Sequence, residues 1–158
     1  MTTLAMNQSS VTLLSCMEQV MVEWAFLSLD YLGEPAGRPA KLPLERRIRL
    51  SGENCECTLV LRGSFGLGLE LARSVRGLPS SNLQAGEAAF AELCGLVAEE
   101  WSKRQHSEKG VQWRVLGLDA SSPEAWPASA PDAAVVATVR GLAIEALLWA
   151  PSGPLTAA

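Results

Sequence analysis

The sequence predicts a single α+β domain in which helices pack on a mostly antiparallel sheet. Two long segments repeat their apolar residues at the spacing of a helix, and five shorter segments alternate between apolar and polar residues as strands do. In chain order the predicted elements are α-β-β-α-α-β-β-β. With 158 residues, of which 48% are apolar, the chain is long enough to bury a core of its own. We expect residues 11–150 to form this domain, with flexible termini at residues 1–10 and 151–158.

The first predicted element is a long amphipathic helix. Ser9 or Ser10 can cap its start, and Gly33 followed by Pro35 can end it. Its apolar residues alternate spacings of four and three, which places them on one buried face. This stripe consists of Leu13, Met17, Val20, Trp24, Leu27 and Tyr31. The glycines and prolines of residues 33–43 then predict a connector.

A β-hairpin and a short helix are predicted next. Residues 44–50 and 55–62 alternate in polarity, and the Ser-Gly-Glu-Asn sequence between them is typical of a turn. Residues 65–77 have helical spacing and close on Gly77, which is a common end for a helix.

The remaining predicted elements are a third helix and three strands. The helix covers about residues 85–103, and the strands cover residues 111–118, 133–140 and 142–150. The last two strands are close enough to form a tight hairpin. Residues 121–131, which are rich in proline, alanine and serine, are expected to form a loop.

Charge and composition exclude several classes of protein. The net charge of −4 arises in the first 37 residues, which contain four acids and no Lys or Arg, whereas the rest of the chain is balanced. Such a chain lacks the basic surface of a nucleic-acid-binding protein and the basic start of a secretory signal. The apolar segment 11–32 contains three carboxylates, so no membrane span is expected. We therefore expect a cytoplasmic protein whose four cysteines are reduced and mostly buried.

One candidate motif is the set of glycines Gly63, Gly66 and Gly68. They follow a strand and open a helix, as in loops that bind phosphate. Leu71 stands, however, where the motif requires its third glycine, and the next predicted element is a helix where a dinucleotide-binding unit needs a strand. A nucleotide site is therefore not expected.

A second candidate is the pair Cys55 and Cys57, which places two thiols on one face of a strand. A metal site would need further ligands, and the one histidine, His106, falls in a polar stretch after the third helix. Cys94 would have to come from another element. We interpret these cysteines as small buried apolar residues. A single loop histidine also gives little support for Ser-His-Asp or Cys-His catalysis.

The third helix carries the most informative pattern. On a helical wheel its buried stripe consists of Phe90, Cys94, Val97 and Trp101. The opposite face consists of Glu92, Gly95, Glu99 and Lys103. A glycine on an exposed helical face costs about 1 kcal/mol relative to alanine, and the close approach of a partner is one reason to keep it. The alternative is a solvated face with a tolerated glycine, held by Glu99–Lys103 and Glu100–Arg104 ion pairs.

Four segments together resemble a known family. They are the long apolar first helix, the strand pair RIRLSGENCECTLVL, the short helix LGLELARSVRGLP and the third-helix segment FAELCGLVAEEW. From about Val11 to Trp149 the chain is similar to the CheX-like and CheC-like chemotaxis phosphatases, which dephosphorylate the response regulator CheY. Members of this family carry an E-x-x-N signature on the exposed face of the matching helix. There the Glu engages a lysine of the regulator, and the Asn orients the water that attacks the phospho-aspartate.

Matched residue by residue, the signature Glu falls on Glu92 and the signature Asn falls on Gly95, which has no side chain to hold a water. The resemblance therefore implies a CheX-like signalling domain that binds the receiver domain of a phosphorylated response regulator through Glu92, Gly95 and Glu99. It implies weak or no phosphatase activity and no cofactor, since any Mg²⁺ belongs to the receiver domain.

Two alternatives stay open. One is an active phosphatase whose amide comes from elsewhere, although Asn82 and Gln105 lie outside this helix face. The other is a non-enzymatic subunit used for assembly.

A homodimer is expected for two reasons. The predicted strands 133–139 and 144–149 are apolar on both faces or nearly so, and they would be unfavourable as free edges in water. CheX-like proteins are also commonly dimers. We therefore expect a second copy to protect at least part of the C-terminal hairpin.

Overall fold

The computed structural model describes residues 7–33, 42–53, 55–77, 82–120 and 126–149. These residues form three helices and six strands, in the order α1 (Gln8–Ala25), β1 (Asp30–Gly33), β2 (Leu44–Gly52), β3 (Cys55–Gly63), α2 (Phe65–Arg76), α3 (Leu83–Lys109), β4 (Arg114–Ala120), β5 (Ala133–Val139) and β6 (Leu142–Trp149). The predicted α+β class is confirmed. Residues 1–6, 34–41, 54, 78–81, 121–125 and 150–158 lie outside the described residues, and they include parts of the predicted termini, turns and connectors and the end of the last predicted strand.

The sheet is antiparallel at every pairing of the described strands, and its strand order is β1-β5-β6-β3-β2-β4. Both predicted hairpins, β2–β3 and β5–β6, are present. The C-terminal hairpin lies inside the sheet, because β5 also pairs with β1 and β6 also pairs with β3. Its strands are therefore protected within one chain, and the argument that a second copy must protect them is wrong.

The first helix is shorter than predicted, since it ends at Ala25 and not at Gly33. Phe26 takes the left-handed conformation, with φ of 57°, and its amide donates to the Met21 carbonyl. The chain then forms the edge strand β1, so the observed element order contains one more strand than predicted. Leu27 is buried as expected, whereas Tyr31 belongs to β1 and is partly exposed.

Two other helix ends differ from the prediction. The side chain of Asn7 caps α1 by accepting a hydrogen bond from the Ser10 amide, so Ser9 and Ser10 lie inside the helix. α3 extends to Lys109, which places His106 in its last turn and not in a polar stretch after it. Among the described residues, no helix has the length and apolar character that a membrane span requires.

The main core lies between the three helices and one face of the sheet. It collects alternate residues of the strands together with the buried stripes of the helices. Leu13, Ile48 and Phe90 are among the largest side chains that are fully buried there. Because each such side chain contributes about 1.5–3 kcal/mol when it leaves water, this core fixes the position of α3 on the sheet.

The helices α2 and α3 approach each other closely where Gly68 meets Gly86. A Cβ atom added at Gly68 would lie 2.9 Å from the Gly86 carbonyl oxygen and 2.8 Å from the Leu44 side chain. A Cβ atom at Gly66 would lie 2.9 Å from Leu142. Packing therefore explains Gly66 and Gly68, whose position after a strand also resembles a phosphate-binding loop.

The change Gly68→Ala is expected to lower the free energy of unfolding by about 1–3 kcal/mol, because the new methyl group would push two helix backbones apart. Urea denaturation followed by circular dichroism measures this effect. The matched control is Gly77→Ala. Gly77 follows α2 with a positive φ of 67°, and nothing lies within 4 Å of the added atom. The loss of stability in this variant therefore comes from backbone strain alone. An unchanged midpoint for Gly68→Ala would contradict the close contact.

The other face of the sheet is covered by part of the connection between β4 and β5. These strands are separated by three others, a distance of about 19 Å, so the connection has to cross the sheet. Of the predicted loop, residues 126–131 are described and form neither helix nor strand. The Trp149 indole donates to the Ser129 carbonyl at 2.8 Å, and Trp126 packs on Val60, Leu147 and Trp149.

A buried group of three charges lies beneath Trp126. Arg62 is only 2% exposed, and its guanidinium donates to Glu45 and to Glu145, each at 2.9 Å. The indole Nε1 of Trp126 donates to the second oxygen of Glu45 at 3.1 Å, and its ring centre lies 5.2 Å from Arg62 Cζ. The charges are thus paired, hydrogen-bonded and shielded from water by an aromatic ring.

Candidate functional site

The candidate site is the outward face of α3. Asn82 caps this helix by accepting hydrogen bonds from the amides of Gln84 and Ala85, and Gly110 ends it with φ of 70°. Its inward stripe is buried as predicted, with Phe90, Cys94, Val97 and Trp101 between 0 and 4% exposed. Since this stripe is anchored in the core, the opposite face is held rigidly toward solvent.

The structure brings the predicted residues of this face together. Glu92, Glu99 and Lys103 are exposed, and Gly95 lies between them with partial exposure. Apart from its chain neighbours and the backbone of its own helix, a Cβ atom added at Gly95 would have no atom within 4 Å. The centre of the face is therefore bare helix backbone, bordered by one carboxylate on each side along the helix.

Glu92 has a charged neighbour on another helix, which the spacing of α3 does not predict. Its carboxylate lies 3.5 Å from the guanidinium of Arg76, at the end of α2. Both side chains are more than 40% exposed, so the pair contributes between 0 and about 1 kcal/mol. A cation on a partner could therefore displace Arg76 at little cost.

The two ion pairs suggested for this helix have different outcomes. Arg104 pairs with Glu100 at 3.0 Å and also reaches Ser15 and Gln19 on α1, so it ties the two helices together. Glu99 and Lys103 form no ion pair with each other or with any other residue of the described ranges. Their charges are thus available to a ligand or a partner.

Two grooves run along the sides of this face. The groove between α1 and α3 has a volume of about 280 Å³, with Trp24 and Leu96 among its apolar residues and Glu23 at its rim. The groove between α3 and β4 is larger, at about 400 Å³. Glu99 and Lys103 border both grooves, so the α3 face is a ridge between two depressions.

The cysteines are free thiols and three of them are buried, as expected. Burial raises the pKa of Cys16 and of Cys57 to about 12, and it raises the pKa of Cys94 as well. These thiols therefore stay protonated at neutral pH and are poor nucleophiles. Within the described ranges, no three or more His, Cys, Asp or Glu residues are arranged to hold a metal ion.

The chemistry that the α3 face can perform follows from its side chains. Glu92 and Glu99 can pair with cations, and Lys103 can pair with an anion. None of the four residues offers an amide, hydroxyl or imidazole group that would orient a water molecule. The face is therefore suited to pairing with charged groups of a partner.

The change Gly95→Ala is expected to raise the free energy of unfolding by about 0.5–1 kcal/mol. Alanine is the better helix former, and the added methyl group enters open space. Thermal and urea denaturation of the two proteins measure the difference. A destabilised Gly95→Ala variant would show that the glycine is required for folding, which would remove the reason to assign it a role in binding.

Comparison with known proteins identifies the fold. No protein-family profile and no curated protein matches the sequence. Among solved structures, the chemotaxis protein CheX from Desulfovibrio desulfuricans has a TM-score of 0.74 at 9% identity, over 91% of this chain and 99% of that chain. A chain of the CheX-CheY-BeF3-Mg+2 complex from Borrelia burgdorferi has a TM-score of 0.69 at 13% identity, with coverage of 90% and 97%.

A CheC-like superfamily protein from Shewanella sp. PV-4 has a TM-score of 0.68 at 17% identity, over 90% of this chain and 99% of that chain. These similarities extend over nearly the full length of each chain, and they agree with the element order and sheet described above. The chain therefore has the fold of the CheX and CheC-like chemotaxis proteins, as its sequence predicted.

Proposed function

We propose that this protein is a CheX-like signalling domain that binds the receiver domain of a CheY-like response regulator through the outward face of α3. The observation that carries the proposal is the bare centre of this face, where Gly95 lies in open space between the exposed carboxylates Glu92 and Glu99. The fold supports the same partner, because one similar structure is a complex of CheX with CheY.

The proposed domain has weak or no phosphatase activity. Hydrolysis of an acyl phosphate needs a positioned water, and the face has no amide at Gly95 to position it. A positioned group that assists proton transfer or orients a reactant contributes about 10²–10⁴ in rate. Any Mg²⁺ in the complex would belong to the receiver domain, and this chain would supply the docking surface.

The test is a binding measurement against the receiver domains of the same genome, with and without an acyl-phosphate donor. The charge reversal Glu92→Lys is expected to weaken binding by about tenfold, since it replaces attraction by repulsion at the interface. The matched control is Glu108→Lys, which makes the same change at an exposed position near the end of the same helix. Equal losses in both variants, or no bound receiver domain at all, would refute the proposal.

Phosphate release separates the proposal from the alternative of an active phosphatase. We expect the wild-type protein to leave the decay rate of a phosphorylated receiver domain nearly unchanged. Rapid turnover would establish the phosphatase, and a failure to bind any receiver domain would favour the assembly subunit.

We also propose a homodimer, now supported by a different part of the sheet. β4 is an edge strand, and Val115, Leu116 and Leu118 are each at least 36% exposed on it. An exposed apolar edge strand is a site where a second copy can pair. A homodimer through β4 would cover Leu116 and Leu118.

The change Leu116→Lys is expected to convert such a dimer to a monomer, because a charge would have to be buried between the two edges. Light scattering at micromolar concentration measures the mass in solution. The control is Leu83→Lys, at an exposed leucine near the start of α3. A wild-type protein that is already monomeric would contradict the dimer.

A further inference from the structure

Most arginine side chains of the described ranges form ion pairs with carboxylates, and one exposed arginine does not. Of the nine arginines in the described ranges, seven lie within 4 Å of a carboxylate, in a chain with a net charge of −4. Arg46 instead donates to the Glu45 carbonyl. Arg114 has neither kind of partner among the described residues, so it is the exception that calls for an explanation.

Arg114 lines the groove between α3 and β4 together with Lys103 and His106. Neither of these two residues forms an ion pair within the described part of the chain. Glu99 is the single carboxylate among the described residues that line the groove, so two permanent positive charges face one negative charge there. Seven of the other eight described arginines have a carboxylate partner, whereas this groove keeps a local excess of positive charge without one among the described residues.

The groove also has a rigid aromatic wall. Trp113 lines the groove, and its ring centre lies 5.4 Å from the ring centre of Trp101. The six-membered ring of Trp113 also packs against Gly52, because a Cβ atom added at Gly52 would lie only 3.1 Å from it. The indole Nε1 of Trp113 is buried and has no hydrogen-bond partner in the described part of the chain. The wall is thus held in place by its packing on Trp101 and Gly52.

We propose that the groove between α3 and β4 binds a small organic anion. Its phosphate or carboxylate group pairs with Lys103, His106 and Arg114, and its apolar part lies on Trp113 and Val115. The volume of about 400 Å³ is in the range of small-molecule sites, and an arginine with a lysine is the usual pairing for such groups. This proposal does not depend on the receiver domain, although Glu99 and Lys103 belong both to the α3 face and to this groove.

The experiment titrates four probes into the ¹⁵N-labelled protein and follows the indole N–H signal of Trp113. Phenyl phosphate and benzoate carry the two candidate anionic groups, inorganic phosphate lacks the apolar part, and benzyl alcohol lacks the charge. At least one aromatic anion is expected to bind about fivefold more tightly than inorganic phosphate, and benzyl alcohol is expected not to bind. The tighter of the two aromatic anions identifies the anionic group.

Variants test whether binding occurs in the groove. Arg114→Gln and Lys103→Gln are each expected to weaken binding by about fivefold. Lys109→Gln is the matched control, because it removes the same charge from the same helix at an exposed position outside this groove. The proposal is overturned if neither aromatic anion shifts the Trp113 signal, if inorganic phosphate binds equally well, or if Lys109→Gln weakens binding as much as the other changes.

Discussion

Replacing Arg62 by leucine is expected to lower the free energy of unfolding by about 3–5 kcal/mol. The change would leave the carboxylates of Glu45 and Glu145, which are at most 5% exposed, buried beside each other without a cation. Each would have to lose its charge or draw water into the sheet face, and both routes are costly. The side chain of Trp126 would also lose the cation on which its ring lies.

Urea denaturation measures this loss, with Arg140→Leu as the control. Arg140 also pairs with a glutamate, Glu70, at 2.9 Å, but its side chain is 62% exposed, so its removal should cost less than about 1 kcal/mol. Similar losses for the two arginines would contradict the buried arrangement.

Replacing all three charges tests the explanation itself. In the triple variant Glu45→Gln, Arg62→Met and Glu145→Met, no charge stays buried, and the amide oxygen of Gln still accepts from Trp126. Most of the lost stability should return, because a buried ion group can often be replaced by apolar residues without net cost. A triple variant as unstable as Arg62→Leu would show that the loss comes from packing and not from unpaired charge.

The change Gly95→Asn is expected to raise the dephosphorylation rate of a bound receiver domain by up to about 10²-fold. It places an amide one turn after Glu92, at the position that the sequence resemblance matches to the signature Asn. The new side chain would enter space that is empty within 4 Å, and asparagine is a somewhat better helix residue than glycine. The fold should therefore accept the change without disturbing the buried stripe of α3.

Phosphate release from an acyl-phosphorylated receiver domain measures this gain. Gly95→Ala is the control, because it also replaces the glycine by a residue with a side chain and it brings no amide. Glu92→Ala in the Gly95→Asn background should abolish the gain by removing the neighbouring contact. Robust wild-type activity that survives Glu92→Ala would overturn the assignment of this face.

The α1 region shows the limit of predicting a fold from spacing alone. Leu27 continues the helical stripe and is buried, yet it lies beyond the helix, because a residue can enter the core from a loop as well as from a helix. Phe26, which follows the last helical residue, takes a left-handed conformation that aromatic residues seldom adopt. The sequence therefore gives no sign that the helix ends there. The four-residue strand β1 is too short to show an alternating pattern.

The α3 face could be predicted because it depends on the period of one helix. Phe90, Cys94 and Trp101 mark the buried side, and the positions of Glu92 and Gly95 follow from them. The neighbours contributed by other elements could not be predicted in this way. Arg76 comes from α2 and Arg114 from β4, and only tertiary packing brings them to α3.

The strand order has a consequence for how the chain folds. The hairpins β2–β3 and β5–β6 close short loops, which takes microseconds, whereas the pairing of β3 with β6 joins residues such as Leu61 and Ala146 from distant parts of the chain. The chain loses conformational entropy when this long loop closes, before the new contacts compensate for the loss. Pairing of β3 with β6 should therefore limit the folding rate. Core substitutions in the paired strands β3 and β6 are then expected to slow folding. Substitutions in the edge strand β1 are expected to accelerate unfolding.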